Sequence, residues 1–175
     1  MKIIGLFILL TLISCNSRKK ELRQLVDEWT NKEILFPEGM ETRVSGRDTA
    51  CPELFASPYK ILNYIDTSGC TECRLKLQEW EMLRQEAESL HLPVTFIFVA
   101  WVKNYDELET IQHMLHSNLP FLYDREGKMQ QLNHFPDNPA FQTFLLDSDN
   151  RVQAIGNPLE NDRLWELYRQ IITRP

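Results

Sequence analysis

Apolar residues in the second half of the chain fall into continuous runs and spaced stripes. The runs at 61–65, 94–100 and 121–123 are rich in β-branched and aromatic residues, which is typical of strands buried in a sheet. Between the runs, apolar residues recur at steps of three and four, which predicts two amphipathic helices. The stripes consist of Leu77, Trp80, Leu83, Ala87 and Leu90 in the first helix and of Tyr105, Leu108, Ile111 and Leu115 in the second. This order predicts a parallel sheet with right-handed crossovers and helices on its faces.

The C-terminal region follows a different pattern. Residues 141–146 and 151–155 alternate in polarity, and the turn-forming residues 147–150 between them predict a β-hairpin that closes the sheet in antiparallel fashion. A last amphipathic helix is predicted after Asn161 and Asp162, which are capping candidates. Its apolar face consists of Leu164, Leu167, Tyr168, Ile171 and Ile172.

The N-terminal third predicts a helix and a hairpin. An apolar stripe of about two turns predicts a short helix and consists of Leu22, Leu25, Val26 and Trp29. The polar face of this helix mixes acidic and basic residues, so packing on its own domain is favoured over binding to a membrane. Short segments at 34–36 and 42–44 predict a hairpin, with a further turn at 45–48.

The first residues of the chain predict export. Lys2 precedes an apolar run at 3–13 that is too short to span a membrane as a helix, and Ser14 stands directly before Cys15. This pattern resembles a bacterial lipoprotein signal peptide, which implies that residues 1–14 are removed and that Cys15 carries a lipid anchor. An ordinary secretory signal is the alternative, and it would also export the chain.

Composition narrows the possible partners. The 175 residues suit one domain with a sizeable core. The chain carries 25 acidic against 19 basic residues, and its net charge of −6 disfavours nucleic acid and anionic lipid surfaces as partners. Membrane attachment is therefore expected from the lipid and not from charge. With Cys15 assigned to the lipid, three of the four cysteines remain for other chemistry, namely Cys51, Cys70 and Cys73.

Two of these cysteines, Cys70 and Cys73, are separated by two residues where the first predicted strand leads into the first predicted helix. Cys73 shares the apolar helix face and is expected to be buried, whereas Cys70 lies at the helix N-terminus, where unpaired N–H groups favour a thiolate. An exposed nucleophile with a shielded partner suits dithiol chemistry. The same spacing occurs in zinc sites and in structural bridges. Glu72 is expected to disfavour the Cys70 thiolate and to make the pair more reducing.

The order strand, Cys-x-x-Cys, helix, strand, helix, hairpin, helix is that of the thioredoxin fold. With its motifs at 69–73 and 143–147, the chain resembles the TlpA/ResA-like thiol-disulfide oxidoreductases of the bacterial envelope. The resemblance covers residues 59–172 and implies an α/β fold of three layers, α/β/α, around a central mixed sheet. We assign residues 15–20 to a tether, 21–58 to an N-terminal extension with a helix and hairpin, and 59–175 to the thioredoxin-like domain.

The resemblance also implies a function. The protein would be anchored to a membrane of the cell envelope, face the periplasm, and exchange with protein thiols and disulfides without a cofactor or metal. Cys70 would attack a substrate disulfide, and Cys73 would resolve the mixed disulfide. Two alternatives are a non-catalytic thioredoxin-like binding lipoprotein with a structural disulfide and a copper- or zinc-binding envelope metallochaperone. The direction of electron flow stays open.

The chain departs from that family at several positions. Gly69 stands where a tryptophan usually precedes the first cysteine, and Tyr64 stands where the family has a buried acidic residue. Phe141 occupies the place of the family's cis-proline, and Pro139 lies two residues earlier. We expect the loop with these two residues to face the substrate. Cys51 lies outside the motif, where it is either a small buried side chain or a further resolving thiol.

Overall fold

A computed structural model describes residues 19–67 and 75–174 of the chain. Its strands are β1 (Glu41–Val44), β2 (Arg47–Asp48), β3 (Tyr59–Ile65), β4 (Val94–Ala100), β5 (Phe121–Tyr123), β6 (Thr143–Leu146) and β7 (Val152–Ile155). Its helices are α1 (19–29), α2 (Leu77–Ser89), α3 (Tyr105–Met114), α4 (Lys128–Asn133) and α5 (Asp162–Ile172), with short 3-10 helices at Pro52–Phe55 and Pro139–Phe141.

The strands form one mixed sheet in the order β2-β1-β5-β4-β3-β6-β7. The three inner strands β3, β4 and β5 are parallel, and every other neighbouring pair is antiparallel. Tyr59 lies beside Val94 and Ile65 beside Ala100, so the two continuous apolar runs are adjacent in the middle of the sheet. The predicted parallel centre and the antiparallel C-terminal hairpin are therefore confirmed.

Side chains that alternate along β3 fill a separate apolar layer on each face of the sheet. Ile61 and Ile65 pack under α2, α3 and α5, together with Trp80 of α2 and Tyr168 of α5. Leu62 and Tyr64 point to the other face and pack with residues of α1 and α4. Burial of a side chain of this size stabilises the fold by roughly 1.5–3 kcal/mol. The predicted three-layer α/β/α architecture is thus confirmed.

The N-terminal hairpin lies at a different position from the predicted one. β1 pairs with β2 around Ser45 and Gly46, which both have left-handed φ angles, 48° and 76°. Two such residues form the turn that matches the twist of a hairpin, so the chain reverses there. Segment 34–36 is not a strand, and the Ile34 N–H donates to the Asn150 carbonyl at 2.9 Å. The prediction of a hairpin between 34–36 and 42–44 was wrong.

Helix α1 packs on the domain mainly through its last turn. Trp29 is 1% exposed and packs on Phe135 and Phe144, whereas Leu22 and Val26 are exposed on the same stripe. The favoured packing of this helix on its own domain is therefore seen at its C-terminal end, whereas the N-terminal part of the stripe is exposed. None of the helices in the ranges 19–67 and 75–174 combines the length and apolar character that a membrane crossing requires.

Candidate functional site

Four of the predicted site residues lie outside the described ranges: Cys15, Cys70, Glu72 and Cys73. The residues that flank the Cys-x-x-Cys motif are described. The chain enters this segment just after β3 ends at Ile65, and it leaves the segment at Leu75, which is 1% exposed. The described part of the site consists of the side chains at the carboxyl ends of β3, β4 and β5, where ligands bind in open α/β sheets.

Backbone hydrogen bonds tie the carboxyl ends of the three parallel strands together. The Trp101 N–H donates to the Ile65 carbonyl at 2.8 Å, and the Asp124 N–H donates to the Ala100 carbonyl at 2.9 Å. Asp66 and Trp101, each half-buried, are the first residues beyond β3 and β4. This edge of the sheet thus presents one carboxylate and one indole beside the point where the chain continues to the motif.

A second carboxylate at this edge, Asp124, has a structural role. Its two carboxylate oxygens accept from the backbone N–H groups of Lys128 and Met129 at 2.8 and 2.9 Å, and so cap the first turn of α4. Burial raises the pKa of the Asp124 carboxyl above its ordinary value, although these two N–H groups act in the opposite direction. Both of its oxygens are therefore occupied by the cap of α4.

Asp66 is held by a buried amide. The Gln142 side chain is 1% exposed, and its Nε2 donates to Asp66 Oδ2 at 2.7 Å and to the Pro136 carbonyl at 2.8 Å. The Gln142 backbone carbonyl also accepts from the Tyr64 N–H at 2.9 Å. A carboxylate that follows a strand into a turn is thereby fixed in place, and it is not a freely solvated residue.

Tyr64, which replaces the acidic residue of the family, belongs to the core. It is 0% exposed, and its ring lies 4.4 Å from that of Phe135. An aromatic side chain in this layer contributes packing and no carboxylate. Asp66, two residues further along the chain, is therefore the acid nearest to this position on the described part of the strand and its exit.

The predicted substrate-facing residues lie in the loop that leads into β6. Pro139 is exposed and begins the 3-10 helix Pro139–Phe141, which the Asn138 side chain caps by accepting from the Ala140 N–H at 3.1 Å. Phe141 is half-buried against the apolar layer that contains Tyr64. No peptide bond in 19–67 or 75–174 is cis, so neither residue takes the form of a cis-proline. Their contact with a substrate stays a prediction.

The third cysteine lies at the opposite end of the sheet. Cys51 precedes the 3-10 helix Pro52–Phe55, in which the Leu54 carbonyl accepts from Thr95 Oγ1 at 2.8 Å near the start of β4. β3 and β4 each have seven residues, so their two ends are about 20 Å apart. This position does not support the hypothesis that Cys51 resolves a mixed disulfide formed at the carboxyl ends of the strands.

Cys51 also has the electrostatic environment of a weak nucleophile. Burial raises the pKa of its thiol, and the Glu53 carboxylate raises this pKa further. A groove of about 710 Å³ opens beside the thiol and is also lined by His113 and His116. Across the described ranges, however, no three His, Cys, Asp or Glu side chains are arranged to hold a metal ion.

Sequence reasoning missed Gln142. A signal was present, because this amide directly precedes a strand whose residues are mostly apolar, and a polar residue at such a position is expected to be buried with a partner. The identity of the partner was hidden, since Asp66 is 76 positions away along the chain.

Comparison with known proteins gives the fold. No protein-family model and no curated protein matches the chain. It is similar to the thioredoxin domain of a thiol-disulfide oxidoreductase from Bacteroides vulgatus, with 14% identity and a TM-score of 0.58 over 82% of this chain and 98% of that one. It is also similar to a candidate thiol:disulfide interchange protein DsbE from Chlorobium tepidum, with 12% identity and a TM-score of 0.59 over 82% of this chain and 98% of that one. The peroxidoxin BcpB from Mycobacterium tuberculosis is similar with 14% identity and a TM-score of 0.59, over 81% of this chain and 97% of that one. At these identities the likeness shows a shared fold.

Proposed function

We propose, on the premise of this thioredoxin-like fold, that the protein is a thiol-disulfide oxidoreductase anchored to a membrane of the bacterial envelope. The observation that supports it is the connection of the central strand β3 to helix α2 at the carboxyl edge of the sheet, with Cys70 and Cys73 in the connecting segment. A dithiol in the connection between a parallel strand and the next helix is favourably placed for exchange, because ligands of open α/β sheets bind at the carboxyl ends of the strands. Its partners are protein thiols and disulfides.

The reaction runs in two exchange steps. The Cys70 thiolate attacks one sulfur of a substrate disulfide, the substrate S–S bond breaks, and the other substrate sulfur leaves as a thiolate. The Cys73 thiolate then attacks the Cys70 sulfur, which releases the second substrate thiolate and forms the Cys70–Cys73 bridge. Two electrons pass from the protein to the substrate, and the reverse sequence oxidises a substrate dithiol. This chemistry needs no cofactor.

Trapping the mixed disulfide tests this function. In a Cys73→Ser variant the second step is blocked, so substrates should remain attached to Cys70 and appear as bands on non-reducing gels of envelope extracts that disappear on reduction. A Cys70→Ser/Cys73→Ser variant is the matched control and should trap nothing. If the Cys73→Ser variant traps no partner although the protein is present in the envelope, exchange with protein disulfides is not its function.

The anchor is a separate part of the proposal. It is supported by the Leu12-Ile13-Ser14-Cys15 sequence at the end of the short apolar run. A Cys15→Ala variant should lose acylation, detected by mass spectrometry, and should move from the membrane to the soluble fraction. A Cys51→Ala variant should stay with the membrane. An unacylated Cys15→Ala protein that remains membrane-bound would contradict the lipid anchor and would point to the exposed stripe of α1.

A redox-inert binding domain is the second candidate. It is favoured by Tyr64, because a buried aromatic residue stands where the family has an acidic one. In that case the Cys70–Cys73 bridge would be structural and would stay oxidised in the envelope, since structural disulfides have potentials below about −300 mV. Alkylation of free thiols in cells, followed by mass spectrometry, distinguishes a partly reduced pair from a permanent bridge.

A further inference from the structure

We infer that the exposed flank of helix α1 lies on the lipid surface of the membrane and orients the domain there. This flank is defined by four exposed residues, Lys19, Leu22, Arg23 and Val26. The inference rests on one part of the proposed function, the lipid anchor at Cys15, and adds a contact that the anchor alone does not supply. The lipid holds the protein at the membrane, and the flank decides which side of the domain faces it.

Helical periodicity divides the apolar stripe of α1 between the domain and the solvent. Leu25 and Trp29 face the domain, where Trp29 is 1% exposed and Leu25 is half-buried against the apolar layer that contains Trp29. Leu22 and Val26 share the neighbouring face of the helix and are 45% and 39% exposed. The exposed pair are therefore apolar side chains that α1 does not bury against its own domain.

The charged residues beside the exposed pair are basic. Lys19 and Arg23 each stand three residues before one member of the pair, so the flank has the spacing i, i+3, i+4 and i+7 of a single helix face. Glu21 and Glu28 stand four residues before and three residues after Leu25, on the other side of the stripe. Basic side chains beside exposed apolar ones suit a lipid interface, where the apolar groups enter the boundary and the cations reach the lipid phosphates.

The length of chain between the anchor and α1 keeps the flank at the membrane. Three residues separate Cys15 from Lys19, and four steps of chain span at most about 14 Å between the two Cα atoms. Because a lipidated Cys15 is held at the membrane surface, the start of α1 lies within this distance of the lipid. So short a connection gives the flank and the lipid a high effective concentration, which populates even a small contact. A lipid surface is therefore the occupant that the chain itself brings to this flank.

The flank is too small to hold the protein at the membrane on its own. It offers two apolar side chains, Asp27 follows Arg23 by one helical turn, and the chain has a net charge of −6. Stable attachment therefore comes from the lipid, which agrees with the expected release of the Cys15→Ala variant. The flank adds orientation, because the apolar side chains that α1 exposes all lie on this one side.

The segment after α1 transmits this orientation to the sheet. It is hydrogen-bonded to β7, where the Asn31 N–H donates to the Val152 carbonyl at 2.8 Å and the Val152 N–H donates to the Lys32 carbonyl at 2.9 Å. The Lys32 ammonium also lies over the Trp29 ring, with Nζ 3.7 Å from the ring centroid. Helix α1 is thus fixed to an edge strand of the sheet, and a membrane contact of its flank sets the orientation of the whole domain.

Hydrogen exchange of the acylated full chain tests the inference. The protein is reconstituted in vesicles of phosphatidylethanolamine and phosphatidylglycerol, and the unacylated Cys15→Ala protein in solution is the reference. The amides of residues 23–28 should exchange at least about threefold more slowly in the vesicles, because lipid contact opposes the opening of this helix. In Leu22→Glu/Val26→Glu this protection should be lost, although the variant remains acylated and membrane-bound.

A matched control places the same two charges on the opposite face of the sheet. Met82 of α2 and Leu167 of α5 are 70% and 40% exposed, and both helices cover the face away from α1. Met82→Glu/Leu167→Glu should therefore keep the full protection of residues 23–28. If the charges in α1 unfold that helix, Lys19→Gln/Arg23→Gln repeats the test, and it should lower the protection in vesicles while leaving the exchange of the unacylated protein unchanged.

The outcomes separate the inference from the proposed function. Equal exchange of residues 23–28 in vesicles and in solution, or protection that survives both α1 variants, overturns the inference and leaves the anchor intact. A photoreactive benzoylphenylalanine in place of Leu22 should give phospholipid adducts in the same vesicles and in cells, and crosslinks to a second copy or to another protein instead would also overturn the inference. A wild-type protein whose Cys15 carries no lipid in cells would overturn the anchor of the proposed function, and the inference with it.

Discussion

The two ends of the β3–β4 strand pair differ in the cysteine chemistry that we propose for them. At the amino end, Cys51 is half-buried, and burial together with the Glu53 carboxylate raises the pKa of its thiol. At the carboxyl end, the chain passes Asp66, held by Gln142, and continues into the segment with Cys70 and Cys73. The residue type is the same, and we propose that the position in the fold decides which thiol reacts.

The buried polar side chains at the two ends of the strands also have different hydrogen-bond partners. At the amino end Lys60 is 1% exposed and donates from Nζ to the Ser148 carbonyl at 3.1 Å, which ties β3 to the turn between β6 and β7. Burial lowers the pKa of the Lys60 ammonium, while Asp147 and Asp149 oppose this shift. At the carboxyl end Gln142 binds a carboxylate beside the motif. Lys60 thus joins β3 to the β6–β7 turn, and Gln142 joins Asp66 to the loop that precedes β6.

The largest expected effect is on exchange activity. Cys70→Ser should reduce the rate of exchange with glutathione disulfide to the uncatalysed background, because the attacking thiolate is lost. Cys51→Ser should leave the rate within about twofold, since Cys51 lies at the amino end of β3 and β4, about 20 Å from their carboxyl ends. Stopped-flow or chromatographic assays measure the exchange rates of both variants and of the wild type. A large loss in Cys51→Ser would remove the distinction between the two ends.

Stability is expected to respond most at the amino end. Lys60→Ala removes a buried side chain and its hydrogen bond, and should lower the free energy of unfolding by about 2–4 kcal/mol. Lys60→Met restores most of the volume and should cost less than about 1.5 kcal/mol. Urea unfolding measures both. Neither variant should change the equilibrium with glutathione, and a clear change would mean that the two ends are coupled.

The pH dependence of alkylation tests the environment of Cys51. Its reaction with iodoacetamide, followed by peptide mass mapping, should rise at a higher pH in the folded protein than in the unfolded chain, because burial and the Glu53 carboxylate raise the pKa of the thiol above its ordinary value. Glu53→Gln should move the midpoint downward. Since the folded protein holds this proton to higher pH than the unfolded chain, the thiol's contribution to stability is lost as the pH rises through the folded value. A midpoint at or below that of the unfolded chain would contradict this.

The smallest effect is expected from Glu72. A carboxylate next to Cys70 in the sequence disfavours its thiolate, so Glu72→Gln should raise the reduction potential by about 20–40 mV, as about 20 mV corresponds to one kcal/mol for two electrons. Equilibration with glutathione buffers measures it, and Glu79→Gln, a residue on α2 further from the motif, is the control. Equal potentials for wild type and Glu72→Gln would show that this charge is screened by solvent.

Much of the fold could be predicted because its determinants are local. The runs that become β3 and β4 are continuous and flanked by helical stripes, and their order leaves few topologies for the sheet. The β1–β2 hairpin was misplaced because its position depends on the left-handed conformations of Ser45 and Gly46 and on pairing with β5, which is distant in sequence. Short-range patterns do not contain that information.

The site could be predicted only in part for the same reason. The Cys-x-x-Cys motif is visible as a spacing, and so is its place between a strand and a helix. The bond between Gln142 and Asp66, and the distance of Cys51 from the carboxyl end of β3, follow from the sheet order and not from neighbouring residues. Side chains that are brought together by strand pairing require the three-dimensional structure.

Titration of the purified protein against dithiothreitol tests the dithiol chemistry most directly. Alkylation of free thiols followed by mass spectrometry reports the fraction of protein with a Cys70–Cys73 bridge at each potential. We expect a reversible two-electron transition with a midpoint above about −300 mV, in the range of exchange-active pairs. A bridge that resists reduction throughout this range, or two thiols that never form a bridge, would contradict the proposed oxidoreductase function.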